Sequence, residues 1–169
     1  MSYAELHAHS AYSFLDGASL PEELAVRAAE LGYTALALTD HDGVYGSLEF
    51  AHAAKAVGLK PITGAETTLA DGSHVTLLAE TPRGYANLCR LLTAAHAHER
   101  LNPRLDPSLL AELNEGLVCL SGCARDGLGV HEPNAWIGGN GVAVPLCRRV
   151  SPPGCDGRPG TYFTAPHEV

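Results

Sequence analysis

The chain has 169 residues, of which 46% are hydrophobic and 18% are charged, a composition that favours one soluble α/β domain, or part of a larger protein, over a disordered chain. The formal net charge of −8 excludes attraction of a phosphate backbone by the overall field, although carboxylates and imidazoles can attract metal cations. The odd number of cysteines, five, argues against a disulfide framework, and no apolar run is long enough to predict a membrane span.

The hydrophobic pattern predicts strands that mostly alternate with helices. A strand over 3–9 precedes a helix over 21–31, for which Ser19 is the predicted N-cap and Gly32 the C-terminal stop. The later predicted elements are strands at 35–39, 60–63, 74–79 and 116–120 and helices at 47–57, 84–96 and 107–113. Because repeated strand–helix units imply a parallel sheet or barrel, we expect polar residues after successive strands to meet at one edge.

The first polar cluster is His7-Ala8-His9, at the end of the first predicted strand. Residues two apart on a strand project to the same face, so the two imidazoles can bind one metal ion. Asp16 follows in the next loop and offers a carboxylate. A pair of surface histidines is an equally favoured interpretation of His-x-His alone.

The second cluster, Asp40-His41, directly follows the apolar run at 35–39. It offers an imidazole ligand and a carboxylate that can orient it or its neighbours. A turn or helix cap is the alternative, and it suits Asp42-Gly43 better than His41.

The third cluster contains Glu66, whose carboxylate can bridge two metal ions from the end of the strand at 60–63. His74 begins the next strand, and Cys123 follows the last one with a thiolate that suits zinc. Each residue alone is weak evidence, since a lone Glu is usually solvated and a lone Cys usually packs in a core. Together, their positions at successive strands predict a metal site.

The remaining histidines and cysteines of the patterned region are interpreted as structural. His52, His96 and His98 lie in helical patterns and are predicted to be surface or packing residues, and Cys89 and Cys119 to belong to the core. The sequence contains no Walker-type phosphate loop, nucleophile elbow or dinucleotide-binding fingerprint.

Several segments resemble a known family. The sequences HAHSAYSFLDGA, LTDH and GAE resemble the first motifs of the PHP (polymerase and histidinol phosphatase) family. The longer segments GSLEFAHAAKAVGLKPITGAE, HVTLLAETPRGYANLCRLLTAAH and EGLVCLSGCARDGL resemble the N-terminal PHP domain of C-family bacterial DNA polymerases. The resemblance covers residues 2–128, and the opening YAELHAHSAYSFLDGAS favours the error-prone branch over the polymerase III alpha subunit.

The resemblance implies an α/β fold, an incomplete distorted (β/α)7 barrel with up to three zinc, manganese or iron ions at its C-terminal face. It also implies metal-assisted phosphoester hydrolysis, which is a proofreading 3′→5′ exonuclease in some members, whereas others have lost ligands and support the polymerase structurally. Its implied partners are DNA, through the parent polymerase, and the remaining polymerase domains, in the cytoplasm and without a membrane.

The ligand set follows from the same resemblance. His7 and His9 would hold one ion, Glu66 would bridge that ion to a second one completed by His74 and Cys123, and Asp16 and His41 would hold a third. Asp40 would not bind metal itself but would hold these ligands in position by hydrogen bonds. The resemblance thus assigns seven residues directly to metal.

The sequence also departs from the family. No Asp-x-His triplet follows Cys123, although the family ends its site with one, and residues 129–169 are an irregular tail rich in Gly and Pro. We therefore expect fewer than three ions, and a frameshift near 127–129 or a degraded gene. Whether the chain is an enzyme stays open: the alternatives are a stand-alone metal-dependent phosphatase of the histidinol-phosphatase type and an inactive structural fragment.

Overall fold

The computed structural model describes residues 3–97, 99 and 101–120. It contains five strands, which are β1 Ala4–Ala8, β2 Ala35–Leu38, β3 Lys60–Thr68, β4 His74–Ala79 and β5 Leu117–Leu120. Its helices are α1 Pro21–Glu30, α2 Ser47–Ala56, α3 Pro82–Ala95 and α4 Pro107–Glu112. Every strand and helix predicted up to residue 120 is therefore present, whereas the irregular tail and Cys123 lie outside the described residues.

The five strands form one sheet in the order β1-β2-β3-β4-β5. The pairs β1–β2 and β2–β3 are parallel, as repeated strand–helix units predict. The pairs β3–β4 and β4–β5 are antiparallel, so the expectation of an entirely parallel sheet is wrong for its second half. The reason is the connection after β3, which is a short turn at 69–73 rather than a helix, and short turns join antiparallel neighbours.

Two further details differ from the sequence expectations. The N-cap of α1 is Leu20 rather than Ser19, and the side chain of Glu23 accepts a hydrogen bond from the Leu20 backbone N–H at 2.8 Å. The strand predicted over 60–63 continues to Thr68, so Glu66 lies within β3 and not after it. Antiparallel pairing with β4 extends this strand, because its register joins Glu66 to Thr76 and Thr68 to His74.

Apolar side chains pack on both faces of the sheet. On one face, Leu36 and Leu38 of β2 pack against α1 and α2 around Phe50, which is 1% exposed. On the other face of the same strand, Ala37 packs with Leu78 of β4 and its neighbours. Alternate residues of β2 thus serve two cores, which explains why its sequence is continuously apolar rather than alternating.

The antiparallel half packs mainly against α3. The predicted apolar face of this helix is confirmed, and its members Leu88, Leu91, Leu92 and Ala95 are buried with Val75 and Leu77 of β4. The start of α3 touches the turn before β5 so closely that a Cβ on Gly84 would lie 1.8 Å from the Gly116 carbonyl oxygen. Gly116 also has a φ of +75°, a backbone conformation that favours glycine.

None of the described helices is both long and apolar enough to cross a membrane.

Candidate metal centre

The polar edge of the sheet gathers imidazoles around one buried carboxylate, that of Glu66, which is 3% exposed. His7 and His9 arrive from the end of β1, and His41 follows β2. His74 is the first residue of β4, but antiparallel pairing places that end of β4 beside the end of β3. The sheet topology therefore brings together side chains that are separated by up to 67 positions in the sequence.

The contacts of Glu66 divide between its two oxygens. Its Oε2 forms a short contact with His7 Nε2 and lies 3.4 Å from His9 Nε2. Its Oε1 lies 2.9 Å from His74 Nδ1 and 3.7 Å from His41 Nδ1. One carboxylate thus faces four imidazoles, an arrangement suited to a group that bridges cations.

Asp16 brings a second carboxylate to the edge from the loop that follows β1. Its Oδ2 lies 2.5 Å from His41 Nε2 and 3.7 Å from His9 Nδ1. His9 and His41 therefore each have one ring nitrogen near Asp16 and the other near Glu66.

The imidazole rings also contact one another. The rings of His7 and His9 have centroids 4.8 Å apart, those of His9 and His41 4.5 Å, and those of His41 and His74 5.6 Å. The four imidazoles therefore form one continuous row of rings, so several ring nitrogens lie close enough to approach a shared cation.

The pKa values of the central pair move in opposite directions. Burial alone would raise the pKa of Glu66, but the hydrogen bond from His7 and the nearby His9 and His41 hold that pKa far below its ordinary 4.5. Burial alone would lower the pKa of His7, but the hydrogen bond and the charge of Glu66 raise it above 6.5. Glu66 is therefore an anion over the whole physiological range, ready to attract a cation.

One atom at this edge lacks a partner. The Nε2 of His9 is buried and makes no aligned hydrogen bond within the described part of the chain, although Glu66 Oε2 lies 3.4 Å away. A buried polar atom without a partner is costly, and a metal ion is one way to satisfy an imidazole nitrogen.

Ligand-capable atoms within 4.8 Å of one another form three overlapping groups. These groups are His7-His9-Glu66, His9-Asp16-His41 and His41-Glu66-His74. The structure therefore brings together six of the seven predicted ligands, while Cys123 lies outside the described residues. It also differs in detail from the predicted partition, because His9 and His41 each belong to two groups.

Asp40 is buried but faces away from this cluster. Its carboxylate accepts hydrogen bonds from the Ser10 N–H at 2.7 Å, the Ser10 hydroxyl at 2.8 Å and the Ser13 hydroxyl at 2.7 Å. The importance of Ser10 and Ser13 was not visible in the sequence, where serine in a loop has many ordinary uses.

Asp42 follows the turn interpretation that its sequence favoured. Its backbone is left-handed, with a φ of 47°, and its carboxylate accepts hydrogen bonds from the Thr68 N–H at 2.8 Å and the Thr68 hydroxyl at 2.7 Å. The Asp42 carbonyl oxygen also accepts a bond from His96 Nε2 at 2.7 Å. Asp42 and His96 thus fix the chain beside the cluster and do not join it.

The remaining structural predictions have mixed outcomes. His52 is exposed on α2, which confirms its assignment to the surface. Cys119 is half-buried and packs against the core of the antiparallel half, as predicted. Cys89 is also half-buried, so its assignment to the core was too strong. His98 lies outside the described residues.

Comparisons with known proteins identify relatives of this chain. The PHP domain family matches residues 5–130. The chain is 47% identical over 142 residues to an error-prone DNA polymerase of Symbiobacterium thermophilum, covering 74% of this chain and 13% of that protein. It is 38% identical over 138 residues to a DNA polymerase III subunit alpha of Chlamydia pneumoniae, covering 73% of this chain and 11% of that protein.

A solved structure is also similar. The lesion-specific endonuclease of Pyrococcus furiosus matches with a TM-score of 0.46 and 16% identity, covering 69% of this chain and 33% of that chain.

The chain belongs to the PHP domain family. Its fold is mixed α/β with one five-stranded sheet, and its homologues include error-prone DNA polymerases and DNA polymerase III alpha subunits. The chain spans about 13% of the length of the error-prone relatives.

Proposed function

We propose that this chain is a metal-dependent phosphoesterase domain that cleaves DNA phosphodiesters. The observation that carries the proposal is the convergence of four imidazoles and two carboxylates at one sheet edge, around the buried Glu66. Nitrogen and oxygen donors of this kind suit zinc, manganese or iron. The unpartnered Nε2 of His9 supports the same conclusion, because a cation would satisfy it.

The candidate ligands would form up to three ion-binding sites. His7, His9 and Glu66 would hold one ion, and His41 and His74 would share Glu66 with another, which Cys123 would complete. Asp16 and His41, with His9, would hold a third. When bound, such ions polarise a phosphoryl oxygen, activate water and stabilise the departing charge.

The charge of the chain fits a local rather than a general attraction for phosphate. With a formal net charge of −8, the chain repels a nucleic-acid backbone over most of its surface. Cations bound at the cluster would make the local electrostatic potential positive there and so attract a phosphate. Glu66 is buried and stays ionised, and its two oxygens would hold the surrounding imidazoles around a bound cation.

The relatives support a DNA substrate and a polymerase context. The similarity to error-prone DNA polymerases is higher, at 47% identity, than the similarity to the polymerase III alpha subunit, at 38%. We therefore propose that the domain belongs to the error-prone branch, in the cytoplasm, with DNA and the remaining polymerase regions as partners.

Metal analysis tests the proposal first. The full chain is stripped with a chelator, reloaded separately with Zn²⁺, Mn²⁺ or Fe²⁺, and assayed for bound metal per chain. We expect at least one tightly held ion, and we expect His9→Ala to lower the content while the exposed His52→Ala leaves it unchanged. Absence of tight metal would overturn the proposal and favour an inactive structural fragment.

Substrate assays then separate the two enzymatic readings. Single-stranded DNA with a labelled 5′ end and a small phosphomonoester are each incubated with the loaded chain. We expect cleavage of DNA that depends on Glu66 and on added metal. Hydrolysis of the monoester alone would contradict a DNA substrate and favour a phosphatase of the histidinol-phosphatase type.

A further inference from the structure

A buried polar cluster lies beneath the loop that joins β1 to α1. Ser10, Ser13 and Asp40 are 0%, 1% and 2% exposed, and we call them the Asp40 clamp. Burying a carboxylate is costly unless its oxygens accept several hydrogen bonds. The backbone N–H of Ser10 and the two serine hydroxyls supply three such bonds, all of 2.8 Å or less.

The loop folds tightly around this clamp. The Ser13 N–H donates to the Ser10 carbonyl at 2.9 Å, and the Ser13 carbonyl accepts from the N–H groups of Asp16 at 3.0 Å and Gly17 at 2.9 Å. A Cβ on Gly17 would lie 1.9 Å from the Ser10 carbonyl oxygen, so the two ends of the loop are in direct contact. One backbone hydrogen bond, from the Asp16 N–H to the Ser13 carbonyl, therefore joins Asp16 directly to the clamp.

The clamp is also hydrogen-bonded to the segment after β2 that carries His41. The Ser13 hydroxyl donates to Asp40 Oδ1 and accepts from the His41 backbone N–H at 3.1 Å. A single hydroxyl therefore links the loop, the buried carboxylate and the residue whose Nε2 lies 2.5 Å from Asp16.

We propose that Asp40 is a positioning residue, which holds the loop carrying Asp16 against His41 and so sets the geometry of the His9-Asp16-His41 group. It acts through Ser10 and Ser13 and not by contact with an imidazole. Leu15 supports this reading, because it is fully exposed and yet keeps a left-handed backbone, with a φ of 69°, directly beside Asp16. A loop free to relax would abandon that conformation.

Hydrogen exchange of the full chain without metal tests the clamp directly. In Asp40→Asn, which preserves size but removes the charge, we expect the amides of Ser13, Asp16 and Gly17 to exchange about tenfold faster, as expected for weakened charge-assisted hydrogen bonds. The amides of α3, such as that of Leu91, should be unaffected.

Asp42→Asn is the matched control. Asp42 is also adjacent to His41 and also accepts an N–H and a hydroxyl, but both come from Thr68. We expect Asp42→Asn to leave exchange in the loop at 10–17 unchanged. Unchanged loop exchange in Asp40→Asn, or equal acceleration in both variants, would overturn the proposal.

Two milder variants decide the matter if Asp40→Asn does not fold. Ser13→Ala removes only the bridging hydroxyl. Ser10→Ala removes one of the two Ser10 bonds to Asp40, together with the bond that the Ser10 hydroxyl accepts from the Tyr12 N–H at 3.2 Å. Both should accelerate exchange of the Asp16 amide in the same direction, by a few-fold. If neither does, the clamp does not hold the loop and the proposal is wrong.

Metal titration adds a second measurement, the affinity for Mn²⁺, which would not change if Asp40 stabilised only parts of the fold away from the metal ligands. This part rests on the proposed metal-binding function. With Mn²⁺ as the probe, we expect Asp40→Asn to weaken one class of binding about tenfold to a hundredfold, the range for losing a residue that orients a ligand, while Asp42→Asn weakens it less. If the unaltered chain takes up no Mn²⁺, the proposed function fails, whereas the exchange experiment still decides the role of the clamp.

Discussion

In the parallel half of the sheet, formed by β1, β2 and β3, candidate ligands lie at or near the ends of the strands. In the antiparallel half, formed by β3, β4 and β5, the candidate ligands in the described residues are Glu66, in the part of β3 that pairs with β4, and His74, at the first residue of β4. Strand β4 runs in the opposite direction, and its ligand lies at the start of the strand instead of the end, so the imidazole reaches the same edge of the sheet. Ligand convergence therefore depends on the edge of the sheet and not on strand direction.

The apolar core of the antiparallel half and the polar edge also differ in what stabilises them. The antiparallel half buries aliphatic side chains of β4 and α3, with Val75, Leu77 and Leu91 all at 0% exposure. The edge nearest the parallel half is held by polar contacts of Glu66, Asp16 and Asp40. We expect substitutions in the first region to act on folding, and those in the second to act on cation binding.

The largest expected effect on stability is at the apolar core of the antiparallel half. Leu77→Ala should lower the free energy of unfolding by about 3 kcal/mol, because it removes buried methyl groups and leaves a cavity. Urea unfolding of the metal-free chain measures this change. The exposed Leu48 provides the control, since Leu48→Ala should change stability by less than about 0.5 kcal/mol. Equal effects would contradict the division between the two halves.

The next effect is at the shared carboxylate. Glu66→Gln should weaken the tightest metal binding by about a hundredfold, because an amide cannot supply the charge that four imidazoles surround. Calorimetric titration with Zn²⁺ measures the change. Glu49→Gln, an exposed glutamate on α2, should bind metal as the unaltered chain does. Unaltered affinity in Glu66→Gln would show that the edge is a structural polar network.

A smaller effect tests the contribution of the antiparallel half to the edge. His74→Ala should weaken binding of one ion about tenfold and leave the ion at His7 and His9 in place. Zn²⁺ titration against the His52→Ala control checks this prediction. Loss of every ion in His74→Ala would mean that the groups are not separable.

The smallest effect concerns pH. The lowered pKa of Glu66 contributes stability above its ordinary 4.5, and that contribution is lost as pH falls below this value. The raised pKa of His7 contributes stability below its ordinary 6.5, and this is lost as pH rises further. The pair should therefore stabilise the metal-free chain most between pH 4.5 and 6.5. Thermal unfolding at a series of pH values should show a maximum in melting temperature in this range for the unaltered chain and no such maximum for Glu66→Gln.

The sequence predicted more of the site than of the connections. Because metal-competent residues recur at successive strands, the sequence predicted that six side chains would meet at one edge: His7, His9, Asp16, His41, Glu66 and His74. The reversal of β4 was not predicted, since a period of two residues carries no information on strand direction. The extension of β3 through Glu66 was missed for a related reason: pairing with β4 completes that strand, and local propensity does not.

The partners of Asp40 could not be predicted either. A carboxylate beside a predicted ligand was expected to support the imidazoles, but its side chain points to Ser10 and Ser13 instead. Which neighbour a buried carboxylate chooses depends on the folded path of the loop at 10–17, and no pattern along the chain specifies that path.

The approach of Gly84 to Gly116 has a consequence for sequence variation. Each position is closed to a methyl group by the backbone of the other, since a Cβ on Gly84 would meet the Gly116 carbonyl at 1.8 Å. Random mutagenesis should therefore find these two glycines, one in the first turn of α3 and one in the turn before β5, as intolerant as the histidines, although they perform no chemistry. A tolerance map alone would mistake this seam between helix and turn for a second functional region.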